Sequence, residues 1–157
     1  MTKYLDALQR ARFQYDAAFH LLSVTYPMVK DPKLLIGILS NIQISMEAAM
    51  EAILVYERQL QLVPHYLDNF QSRFNTFRYK SVRRNKIDQQ LVDTMETIQS
   101  LLDLHRQSQI EFRKDDRLII LDQDFHVQQL TLLNIREFLT HNQTFITIAE
   151  GIVNRKE

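Results

Sequence analysis

The chain has 157 residues, 45% of them hydrophobic, enough for one core-bearing domain over residues 1–157 and too apolar for disorder. Lysine plus arginine equals aspartate plus glutamate at 19 each, so net charge points to neither nucleic acid nor membrane as a partner. There is no cysteine, which excludes disulfides, thiolate catalysis and cysteine-ligated metals and fits a cytoplasmic protein; two glycines and three prolines argue against a turn-rich β fold.

The first residues carry an acid and then Arg10 and Arg12, so they read as helix and not as a signal peptide. Thr2 can cap a helix from Lys3 to about Tyr26. Leu5, Leu8, Arg12, Tyr15, Phe19, Leu22 and Tyr26 follow a seven-residue pattern that only Arg12 interrupts. Pro27 should stop it. A short connection, 27–31, makes the next helix an antiparallel neighbour.

That next helix is predicted over 34–63, about 45 Å long, with Asp31 as cap, Pro32 at its first turn and Pro64 beyond its end. Leu35, Ile38, Leu39, Ile42, Met46, Ala49, Ile53, Tyr56, Leu60 and Val63 form one apolar stripe. Residues 34–46 carry no charge, and Ile36 and Ile44 lie opposite Ile42. A helix apolar on two sides is buried on two sides. The run is too short to span a bilayer, so no membrane is expected; a homodimer interface through Ile36 and Ile44 is the expectation, the alternative being that the first and last helices cover both sides.

Tyr66, Phe70, Phe74 and Phe77 are spaced for a short amphipathic helix. Asn85 can cap a longer one, with Ile87, Leu91, Met95, Ile98, Leu101 and Leu102 facing the core to about Gln107. Between 110 and 121, β-branched and aromatic residues flank Asp115 and Asp116, which reads as a small hairpin or an extended loop. Thr131 caps a last helix over 132–154. The fold class is all-α: an antiparallel bundle of four long helices plus a short helix and a small β-hairpin.

Absences narrow the chemistry. None of the five histidines has a glutamate three residues before it, as a di-iron bundle needs. Phosphate-binding glycine loops, His-Glu-x-x-His and Gly-x-Ser-x-Gly are also missing. Neither a metal centre nor a cofactor is expected. The positive signal is a basic stretch: Arg73, Arg78, Lys80, Arg83, Arg84 and Lys86, with no acid among them, interleaved with Phe74, Phe77 and Tyr79. Cations neutralise phosphates and aromatic faces stack on bases, a composition suited to RNA or single-stranded DNA. The simpler alternative is a core face with solvated charges.

The last helix carries Arg136 and, five residues on, His141. Together with Asn41, Ser45, Glu47 and Ala52 of the second helix and the four-helix pattern, this resembles the HEPN superfamily of helical bundles. The resemblance implies a HEPN-like bundle that acts beside a minimal nucleotidyltransferase or as a ribonuclease toxin. A catalytic role would fall to Arg136, holding the phosphate, and His141, moving protons. Glu137 follows the arginine where many members carry a polar residue. Five residues at about 100° each set the two side chains roughly 140° apart on an unbroken helix, so only a dimer could join them. The leading reading is therefore a non-catalytic binding module with a nucleotidyltransferase or nucleic acid as partner. The alternatives are a metal-independent ribonuclease and a structural adaptor. Glu57 and Arg12, at the edges of their apolar stripes, read as a buried ion pair or as snorkelling side chains.

Overall fold

The computed structural model describes residues 3–155, so the expected Thr2 cap lies outside the described residues. Among those residues the chain is mostly helical, with one small antiparallel sheet.

Helix α1 (Lys3–His20) does not stop at Pro27. It widens into a π-turn, Leu21–Thr25, and continues as α2 (Tyr26–Val29) with Pro27 in its first turn. The Tyr26 N–H reaches back to the Leu21 carbonyl, a longer step than an α-helix makes, and the wider turn accommodates the proline ring and its missing donor. The run ends at Lys30, left-handed at φ 54°. The buried face keeps Tyr15, Leu22 and Tyr26 of the expected heptad, but alanines carry the rest of it. Ala7, Ala11 and Ala18 are fully buried, whereas Leu5 and Phe19 stand about half exposed. Alanines let two backbones approach closely, and they take the seam with the next helix while larger side chains flank it.

That helix, α3 (Leu34–Gln59), is the core of the molecule. Leu35, Ile38, Leu39, Ile42, Ala49, Met50 and Ile53 are all fully buried. Asp31 Oδ1 accepts the Lys33 N–H at 3.0 Å in the turn before the helix, but the N-cap position is Lys33, without a side-chain cap, so Asp31 does not cap α3 itself. Its end comes earlier than Pro64 suggested. Gln61 turns left-handed at φ 60°, the Leu62 N–H reaches the Glu57 carbonyl at 2.8 Å, and the Gln61 N–H reaches the Arg58 carbonyl at 3.0 Å. This is a Schellman ending with glutamine where glycine is usual. Antiparallel alignment with α1 follows from its pairs: Tyr4 packs edge-on against Tyr56 at 5.5 Å, Arg10 pairs with Glu51, and the Ser45 hydroxyl donates to the Ala11 carbonyl at 2.7 Å. By length and composition α3 could cross a membrane, yet 61% of its most apolar window is buried inside the fold.

The short helix expected around Phe70 is a longer, interrupted one. Asn69 caps α4 (Phe70–Thr76), a π-turn spans Phe77–Ser81, and α5 (Val82–Asn85) ends at left-handed Lys86. Asn85 does not cap the next helix, α6 (Gln89–Gln107). Asp88 does, accepting the Gln90 N–H. The Asn85 side chain is drawn instead to the Glu57 carboxylate.

The hairpin forms, but as part of a three-stranded sheet: β1 (Ile110–Lys114), β2 (Arg117–Leu121) and β3 (Val127–Leu130), antiparallel in that order. Asp115 is the positive-φ residue of the two-residue turn, at 58°. Two strands alone are marginal. The third completes the sheet, Leu118 pairing with Leu130, and Leu118, Ile120 and Leu130 are all fully buried. Helix α7 (Leu132–Val153) starts at Thr131 with a full capping box to Asn134, as its sequence predicts, and is unbroken.

Candidate functional site

The residues singled out by sequence fall on separate surfaces. On α7, Arg136 is exposed and His141 half-buried. His141 Nδ1 is hydrogen-bonded at 2.6 Å to the Thr94 hydroxyl of α6. Arg136 instead lines a cleft with Tyr15, Phe19 and Leu22 on the α1–α2 side. Because α7 is continuous, the two side chains diverge, and one chain does not bring them to a common phosphate.

The basic stretch divides into paired and unpaired cations. Arg73 pairs with Asp68 and lies 4.0 Å from Glu47. Arg78 pairs with Glu96 at 3.1 Å and stacks over the rings of Phe74 and Tyr79. Arg84 reaches Glu57 at 3.4 Å and donates to the Leu62 carbonyl at 2.6 Å. The acids come from elsewhere in the fold, mostly from α3 and α6, which is why a charge-run reading misses them. Lys80, Arg83 and Lys86 are exposed, and their side chains have no ion-pair or hydrogen-bond partner among the described residues. Tyr79 beside them is 60% exposed.

Glu57 does not snorkel. It is 1% exposed, and its carboxylate accepts from the Ser81 hydroxyl and from Asn85 Nδ2 at 2.9 Å, with Arg84 completing the set. A buried charge persists only when paired and hydrogen-bonded. Arg12 takes a different partner, Glu150 of α7. Three of the four second-helix positions noted in sequence are also structural. Ser45 is buried and accepts from Asn142 Nδ2 at 2.9 Å, Ala52 is in the core, and Glu47 flanks Arg73. The fourth, Asn41, is half-buried. Burial raises the Glu47 pKa, countered by its hydrogen bond with Gln43 and by Arg73, while Glu51 pushes it further up.

Ile36 and Ile44 differ. Ile36 packs half-buried against the core, whereas Ile44 is 43% exposed on the narrow open stripe of α3.

Asp122, Asp124 and His126 bring metal-ligand atoms within 4.8 Å of one another, a cluster legible only as Asp-x-Asp-x-His spacing. Asp122 is already committed. Its Oδ1 accepts the Asp124 and His126 N–H groups, each at 2.8 Å, and Oδ2 lies 3.2 Å from His126 Nδ1. Those backbone donors, His126's above all, lower its pKa. The cluster closes the loop between β2 and β3, beside a cavity of about 620 Å³ at the end of α6.

No family model matches this chain, and no curated protein and no solved structure matches it.

Proposed function

We propose that this chain is a non-catalytic binding module of HEPN-like helical-bundle type, cytoplasmic and homodimeric, that engages RNA or single-stranded DNA through the exposed side of the second π-turn and α5, residues 79–86. The observation that supports it is the set Lys80, Arg83 and Lys86, left exposed and unpaired next to the exposed ring of Tyr79. Such cations can take phosphates, and the ring offers a stacking surface to any base. The divergence of Arg136 and His141 on unbroken α7 favours binding over cleavage. Ile44, with Ile36 at its margin, is the seat for a second copy, and the resemblance adds a nucleotidyltransferase as the protein partner.

Fluorescence anisotropy with a labelled single-stranded RNA tests the reading. Lys80→Ala, Arg83→Ala and Lys86→Ala combined should leave the helical circular-dichroism spectrum intact. The triple variant should weaken binding at least tenfold and flatten the salt slope by about two, the share of three single-strand phosphate contacts. Equal affinity and slope in the triple variant would exclude this face and leave a structural adaptor as the better account.

A further inference from the structure

The cleft beside Arg136 is built from two parts of the chain that meet only in the fold. Its volume is about 410 Å³, within the range of small-molecule sites. The floor is apolar: Tyr15 and Leu22 are each 9% exposed and Leu139 is 6% exposed. Phe19 forms a wall, stacked on Tyr15 with ring centroids 6.3 Å apart and 51% exposed. A stacked but half-open aromatic leaves one face for a guest.

The polar groups at the rim are one cation and neutral side chains, including Thr140, whose hydroxyl donates to the Arg136 carbonyl at 3.0 Å. Arg136 is exposed, and its side chain has no ion-pair or hydrogen-bond partner among the described residues. Ser23 is exposed and adds a hydroxyl. Gln143 spends its carbonyl oxygen on the Tyr15 hydroxyl at 3.1 Å, which leaves its amide N–H groups to donate. No acid lines the cleft among the described residues. Glu137 neighbours Arg136 in sequence but projects about 100° further around α7. One cation, neutral polar groups and no acid over an apolar floor select a negatively charged head on an apolar body.

The backbone sets these positions. The π-turn Leu21–Thr25 delivers both Leu22 to the floor and Ser23 to the rim. Single π-turns inside α-helices recur at functional sites, because the extra residue re-aims side chains that an α-helix would place elsewhere.

We propose that the cleft between α1–α2 and α7 binds a small amphipathic anion. Its carboxylate or phosphate sits on Arg136, and its apolar or aromatic body rests on Tyr15, Leu22 and Leu139 against Phe19. This assignment is independent of the nucleic-acid face formed by residues 79–86, which lies elsewhere in the chain.

The probe is 1-anilinonaphthalene-8-sulfonate, an aromatic anion of suitable size, titrated into the full chain and read by fluorescence. Saturable binding at one site per chain is expected. Arg136→Ala should weaken it about tenfold, the usual cost of a lost charge-assisted hydrogen bond. Arg136→Lys should retain most of it, and Thr140→Trp, which fills the mouth from an exposed position, should abolish it. Phe112→Ser, on the 44%-exposed outer face of the sheet, should change nothing. Decanoate and adenosine monophosphate then compete in separate arms; displacement by the first names an acyl carboxylate, by the second a nucleotide phosphate. Non-saturable binding, indifference to Arg136→Ala, loss through Phe112→Ser, or displacement by decanol as strong as by decanoate would each overturn the assignment.

Discussion

Residues 3–29 and 70–85 form two helices built alike and used differently. Each passes through a five-residue π-turn, and each stops at a left-handed lysine, Lys30 at φ 54° and Lys86 at φ 53°. In the second, the π-turn opens with Phe77, fully buried edge-on to Phe145 at 5.5 Å, and closes with Ser81 bonded to buried Glu57. Of the five residues of the first, only Leu22 is buried, and Ser23 and Val24 face outward. The same backbone device therefore locks one helix into the core and opens a cleft beside the other. A distorted turn does not by itself mark a site; the groups opposite it decide.

The largest expected effect separates the two anchors. Phe77→Ala should lower stability by about 3–5 kcal/mol, the range for a lost buried phenyl ring. Leu22→Ala, at the edge of an open cleft, should fall near about 2 kcal/mol because solvent can fill part of the space. Urea unfolding of both variants measures this, and equal losses would break the comparison.

The two serines sharpen it. Ser81→Ala removes a donor from a buried carboxylate and should cost about 2 kcal/mol, whereas Ser23→Ala should stay within about 0.5 kcal/mol of wild type. Chemical denaturation again decides, and a Ser23→Ala loss as large as that of Ser81→Ala would mean that the first π-turn is also locked.

A smaller effect is one of pH. Glu47 faces Arg73 of α4, and burial raises its folded pKa above the unfolded value despite Gln43 and Arg73. The ionised carboxylate therefore costs stability at neutral pH, and the cost disappears as pH falls through the folded pKa to the unfolded one. Glu47→Gln should raise the Tm at pH 7, with the gain gone by about pH 4. A gain that persists at pH 4 would point to a cause other than charge.

Much of the helical framework was legible because it depends on local signals. The 3.6-residue apolar period located α3, α6 and α7. Thr131 announced the last start, and Asp115 with Asp116 announced the turn between β1 and β2. The parts that stayed hidden depend on distant partners. Val127–Leu130 holds two glutamines and becomes a strand only because β2 offers it an edge. Neither π-turn breaks the apolar spacing. The α3 ending uses Gln61 where a glycine would have been readable. Arg78 and Arg84 look like free cations until Glu96 and Glu57 fold against them. The divergence of Arg136 and His141 followed from helix arithmetic, but the cleft did not, since its walls lie more than 100 residues apart.

The most direct test of RNA binding without cleavage incubates purified protein with mixed single-stranded RNA in EDTA and scores retention and cleavage in the same sample. Retention that weakens steeply with salt, with RNA left intact by wild type and by His141→Ala alike, is the predicted result. Cleavage by wild type that His141→Ala abolishes would contradict it and make the chain a metal-independent ribonuclease.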